Sequence, residues 1–154
     1  MWSRALLYIV KAKEDLTATM LRTLFSLCSL LLSIATIILL HTAEVMYGCP
    51  VGRGNLGVAY VNAVVWMAMF LFVCLPFLRS VAKMVYANAF PAFLATVSSF
   101  AVLYVVNSIV EACTIAKDNL LLTSMLNAAI ALLLLVSELG CRKRRTSSYE
   151  ELES

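Results

Sequence analysis

The sequence predicts an all-α membrane protein, a four-transmembrane-helix antiparallel bundle with both termini cytosolic. Three observations carry that prediction. The 154 residues are 62% apolar and only 14% charged, with a mean hydropathy of +0.92, whereas a soluble domain carries about 25% charged and roughly 45–50% apolar residues. The apolar residues gather into four long runs, each near the ~20 residues a helix needs to cross ~30 Å of hydrocarbon. The Lys and Arg residues are divided unevenly between the segments that join the runs. Such a composition argues against disorder and against a water-soluble globule. Once four spans are set aside, too little chain remains for a separate catalytic domain.

Residues 1–22 read as a basic cytosolic N-terminal segment. Trp2, Leu6, Ile9 and Val10 can form the apolar side of an interfacial helix, with Arg4, Lys11 and Lys13 near anionic headgroups. Glu14 and Asp15 interrupt the segment and no A-x-A site follows, so it does not read as a cleaved signal peptide. The transmembrane domain occupies 23–140. Its first span, 23–40, lies between Arg22 and His41, and its second, 58–78, ends at Arg79. The third, 90–110, opens at Phe90 and Pro91, where proline suits a first helical turn, and stops before Glu111. The fourth, 120–137, is closed by Glu138 and Gly140, and 141–154 form a cytosolic tail.

Orientation follows from the basic residues. Arg4, Lys11, Lys13, Arg22, Arg79, Lys83 and the run Arg142 to Arg145 fall on one side, against only Arg53 and Lys117 on the other. The positive-inside rule places the richer side in the cytosol and the loops 41–57 and 111–119 outside or in a lumen. Short loops predict sequential antiparallel packing. Ser26, Ser29, Ser33 and Thr36 recur at a 3-4-3 spacing on one face of span one, as Ala92, Ala95 and Ser99 do on span three, and small residues let helix backbones approach closely. Asn62, Asn107 and Asn127 are expected to point into the bundle, because a free amide facing lipid is costly.

Motifs for chemistry are thin. Gly52-Arg53-Gly54-Asn55-Leu56-Gly57 matches G-x-G-x-x-G, but it joins two spans instead of a strand and a soluble helix, and it reads as a flexible turn. The sequence supplies no pattern for catalytic residues, a cofactor or a metal: His41 is the single histidine, and neither H-E-x-x-H, a P-loop nor zinc-spaced cysteines occur. His41 and Glu44, with Asn107 and Glu111, sit at the same outer membrane depth and form a candidate polar site. Cys28 and Cys74 lie within spans as small apolar packing residues, whereas Cys49 and Cys113 lie in the two outer loops, where a disulfide can form and persist.

The tail adds signals of another kind. Cys141, beside the last span and before the basic run, is a candidate for S-palmitoylation. Arg142 to Arg145 anchor the span and attract anionic lipid at roughly 1 kcal/mol per residue. Tyr149 and Leu152 match the Y-x-x-bulky-apolar sorting signal that clathrin adaptors read from an extended peptide. Ser147 and Ser148 each precede a glutamate by three residues and are candidate phosphorylation sites, where a phosphate of about −1.5 to −2 charge weakens the basic run's hold on the membrane.

The four spans, cytosolic termini and short loops resemble the MARVEL-domain proteins, of the myelin and lymphocyte protein and chemokine-like factor type. The closest local likeness is at the end of span three, where Ala101, Tyr104, Ser108, Glu111 and Ala112 stand in the register of that group. The resemblance implies a non-enzymatic protein that organises membrane domains or acts in vesicle trafficking or membrane apposition. Its partners are membrane lipids, other membrane proteins or a copy of itself through the spans, and clathrin adaptors through the tail, with no nucleic acid. A location in the Golgi, vesicles or plasma membrane is expected from the sorting-signal reading of Tyr149 and Leu152. A small ion or proton channel or transporter subunit, and an assembly subunit of a larger membrane complex, are the alternatives.

Overall fold

The computed structural model describes the backbone of residues 2–74, 90–114 and 117–153, and the side chains of these except 2, 3, 15, 141, 144–146 and 148–153. Every element among the described residues is an α-helix: α1 (Trp2–Tyr47), α2 (Arg53–Cys74), α3 (Phe90–Ala112) and α4 (Lys117–Glu153). Each contains a stretch long and apolar enough to cross a membrane. Leu75 to Leu78 of the predicted second span, and the basic Arg79 and Lys83, lie outside the described residues.

Two helices outrun the hydrocarbon. At about 1.5 Å per residue, the 46 residues of α1 extend roughly 69 Å and the 37 of α4 roughly 56 Å, against ~30 Å of bilayer core. No helix boundary falls at residue 22: the N-terminal segment and span one are a single helix. The physical reason is continuity of helix-forming residues: no glycine or proline occurs between Trp2 and Tyr47. Likewise α4 passes Glu138 without a break and carries the tail as helix to Glu153, with Gly140 its single glycine and no proline.

The connection between α1 and α2 is shorter than the sequence suggests. α1 continues to Tyr47, and Gly48 ends it with a φ of 64°, a left-handed conformation that side chains disfavour. The Cys49 N–H then donates to the Ala43 carbonyl at 3.1 Å, occupying one of the acceptors a helix end leaves open. Gly52, at φ 75°, reverses the chain, and its carbonyl accepts the Leu56 N–H at 3.2 Å. Of the glycine-rich stretch read as a flexible turn, only Gly52 lies in the turn; Gly54 and Gly57 belong to α2.

The helices form a ring in which α1 and α3 each pack against both α2 and α4 and stand diagonally to one another. Their small-residue faces meet as expected: Ser26, Ser29, Ser33 and Thr36 on α1, and Ala92, Ala95 and Ser99 on α3, are all buried. Two apolar layers fill the ring. One gathers Leu40, Ala43, Val51, Leu56, Val102, Val106 and Leu120 beneath the α1–α2 connection. The other gathers Trp66, Met69, Ala92, Ala95, Ala131 and Leu134. Two inward expectations are corrected here. Cys28 and Cys74 are exposed on the outer surface of their helices instead of packed between them, and Asn107 faces outward.

Candidate functional site

Buried polar side chains from all four helices meet between the two apolar layers. Ser33 on α1 is the hub: its hydroxyl donates to the Ser29 carbonyl at 2.7 Å and accepts the Nδ2 groups of Asn62 on α2 at 2.9 Å and Asn127 on α4 at 3.2 Å. Asn62 Oδ1 in turn accepts the hydroxyls of Ser98 at 2.9 Å and Ser99 at 3.2 Å on α3, and Trp66 Nε1–H donates to Ser99 Oγ at 3.2 Å. Asn62 and Asn127 are each 1% exposed. In lipid an unmet amide has no water to fall back on, so these bonds hold the helices in one register.

Among the described residues, three buried side-chain oxygens have no hydrogen-bond partner: Ser26 Oγ, Ser29 Oγ and Asn127 Oδ1. All three belong to the α1 and α4 faces that carry the hub. Further along the same pair of helices, Thr36 Oγ1 lies 3.4 Å from Thr123 Oγ1, and between α3 and α4 the Thr96 hydroxyl reaches the Ala131 carbonyl at 3.2 Å.

Each end of the bundle carries a clamp. Arg22 of α1 forms a two-pronged ion pair with Glu138 of α4, through Nε to Oε1 and through Nη2 to Oε2 at 2.8 Å. The carboxylate is 6% exposed and the guanidinium 25%, so the planar fork is matched to its partner in a largely desolvated place. Sequence reading took both residues merely as span boundaries; the available signal was opposite charge at the same predicted depth. At the other end, Cys49 and Cys113 are joined by a disulfide across a 64-residue separation, with Cα atoms 5.7 Å apart, as their loop positions allowed.

The candidate polar site of His41, Glu44, Asn107 and Glu111 is not assembled. His41 turns to α2, where its Nε2 lies 3.0 Å from the Tyr60 hydroxyl. Glu44 and Glu111 are exposed, and Asn107 lies on α3, diagonal to α1, facing a groove shared with α4. Among the described residues no three His, Cys, Asp or Glu side chains form a metal-binding group. In the tail, Ser147 is exposed, while the side chains of Cys141, Ser148, Tyr149 and Leu152 lie outside the described residues. The backbone that bears Tyr149 and Leu152 is helical, not the extended form a sorting signal presents. Comparison with protein-family models, curated proteins and solved structures finds no match for this chain.

Proposed function

We propose that this chain is a non-enzymatic, multi-pass scaffold of MARVEL type that organises membrane domains or acts in vesicle trafficking. Its helices run antiparallel, with both termini in the cytosol. The observation that carries the reading is the set of crosslinks spaced along the bundle. Arg22 to Glu138 clamps one end, the Ser33–Asn62–Asn127 hub ties the middle, and the Cys49–Cys113 disulfide closes the other. A transporter moves one set of helices against another around a central site, whereas this arrangement resists such motion. Antiparallel order is supported by the pairs 22 with 138, 33 with 127 and 36 with 123, in which one number rises as the other falls. Those pairs put the N-terminal part of α1 and the C-terminal part of α4 at one end, together with most of the basic residues.

Reconstitution into liposomes loaded with pH- and ion-sensitive dyes tests the scaffold reading. It predicts no flux above that of empty liposomes; a flux abolished by Glu111→Gln contradicts it. The channel alternative is favoured by one observation, the unpartnered Ser26, Ser29 and Asn127 oxygens within the bundle, and the same assay decides it. In the tail, palmitate labelling is expected to fall in Cys141→Ser. Internalisation is expected to slow in Tyr149→Ala once the helix that carries it unwinds onto a clathrin adaptor, and unchanged antibody uptake removes the sorting role.

A further inference from the structure

Ser26 and Ser29 depart from a habit seen elsewhere in the bundle. Ser33, Thr36, Thr96 and Ser124 each donate to the carbonyl four residues back in their own helix, at 2.7 or 2.8 Å. The hydroxyls of Ser26 and Ser29 make no such bond, and no other described side chain reaches them. Both residues are 0% exposed, and Asn127, whose Oδ1 is the third unmet atom, is 1% exposed. A serine hydroxyl can turn onto a backbone carbonyl, but an amide oxygen only accepts, so Asn127 Oδ1 requires a donor from elsewhere. The register that pairs 22 with 138 and 33 with 127 sets Ser29 level with Ala131, whose methyl cannot supply one.

We propose that these three oxygens hold a short file of internal water between α1 and α4. One water bridges Ser26 and Ser29, and a second joins Ser29 to Asn127. Spacing agrees with this. Ser26 to Ser29 is a rise of about 4.5 Å along α1, and Ser29 to Ser33, the partner of Asn127, is about 6 Å. Two bonds of about 2.8 Å let one water span roughly 5.6 Å. Each water then has two protein oxygens and the other water, about three bonds, which is the usual number for a buried water. The chemistry selects water over an ion: the three atoms are neutral oxygens, and the charges one turn beyond Ser26, Arg22 and Glu138, neutralise each other. The file is closed at both ends. The Arg22–Glu138 pair caps it beyond Ser26, and the buried Leu40, Val106 and Leu120 lie beyond Asn127. The inference rests on the packed bundle and not on the scaffold role.

Solid-state NMR of the isotope-labelled, full-length chain in phosphatidylcholine vesicles tests this, with magnetisation transferred from water to the protein. Transfer is expected to the Asn127 side-chain amide and not to the Trp66 indole N–H, which is 0% exposed and bonded to Ser99. In the Ser26→Ala, Ser29→Ala double variant the transfer to Asn127 is expected to be lost. Ser33 keeps its bonds in that variant, because it donates to the Ser29 backbone carbonyl and not to the hydroxyl. Unchanged Asn62 and Trp66 resonances verify separately that the hub is intact. The comparison of Asn127 with Trp66 in the unsubstituted chain stands whether or not the variant folds. No transfer to Asn127, equal transfer to Asn127 and Trp66, or transfer that survives in a folded double variant overturns the proposal.

Discussion

Asn62 is the single side chain on which the bundle's interior depends most, because it bonds to α1 through Nδ2 and to α3 through Oδ1. Asn62→Ala removes these bonds, while Ser33 keeps Asn127 and the Ser29 carbonyl, Ser98 the Ala95 carbonyl and Ser99 the Trp66 N–H. We expect a loss of about 2 kcal/mol in denaturation by sodium dodecyl sulfate from mild detergent. Arg22→Ala is more severe, since it strands a buried carboxylate; about 3 kcal/mol is expected, with much of it restored in the Arg22→Ala, Glu138→Ala double variant. If the double variant is as unstable as the single one, the ion pair is not the cause. Gly48→Ala isolates a different effect. Nothing lies within 4 Å of the added methyl, so the expected cost of about 1 kcal/mol comes from the left-handed φ alone.

At the scale of elements, the existence of all four helices was legible in the sequence and their ends were not. Hydropathy reports where an apolar run stops, but α1 and α4 continue as helix beyond it, α1 without glycine or proline and α4 with Gly140 alone. The inward faces were legible for α1 and α3 because small residues mark them. Asn107 was misread because it was judged by cost alone. It follows Val106, which continues the buried phase of Ala92, Ala95, Ser99 and Val102, so the phase itself turns Asn107 off the inward face. The hub was half legible: Asn62, Asn127 and Ser33 were expected inside, while the Trp66 Nε1 and Ser98 hydroxyl, which complete it, gave no separate signal in an apolar run. The disulfide allows a prediction at this scale. Reduction is expected to lower stability by no more than about 4 kcal/mol, the chain-entropy value for a loop of this length, and by less where the unfolded state keeps its helices in the membrane. Thermal unfolding in mild detergent with and without a reductant measures it; no change means the disulfide adds nothing to the bundle's cohesion.

The molecule as a whole is a bundle tied at three levels, with two helices extended from the end that holds most of its positive charge. That asymmetry is the basis for proposing that both termini lie in the cytosol, and the proposed scaffold role depends on it, because the lipid-binding, acylation and sorting proposed for the tail would act only there. Glycosylation mapping tests this most directly, since only luminal asparagines are modified and the readout does not depend on which membrane is home. An insert carrying an Asn-x-Ser acceptor after Thr114 is expected to be glycosylated, and the same insert appended after Ser154 is expected to remain unmodified. Glycosylation of the C-terminal insert with the Thr114 insert left bare contradicts the topology, and with it the cytosolic tail on which the proposed function stands.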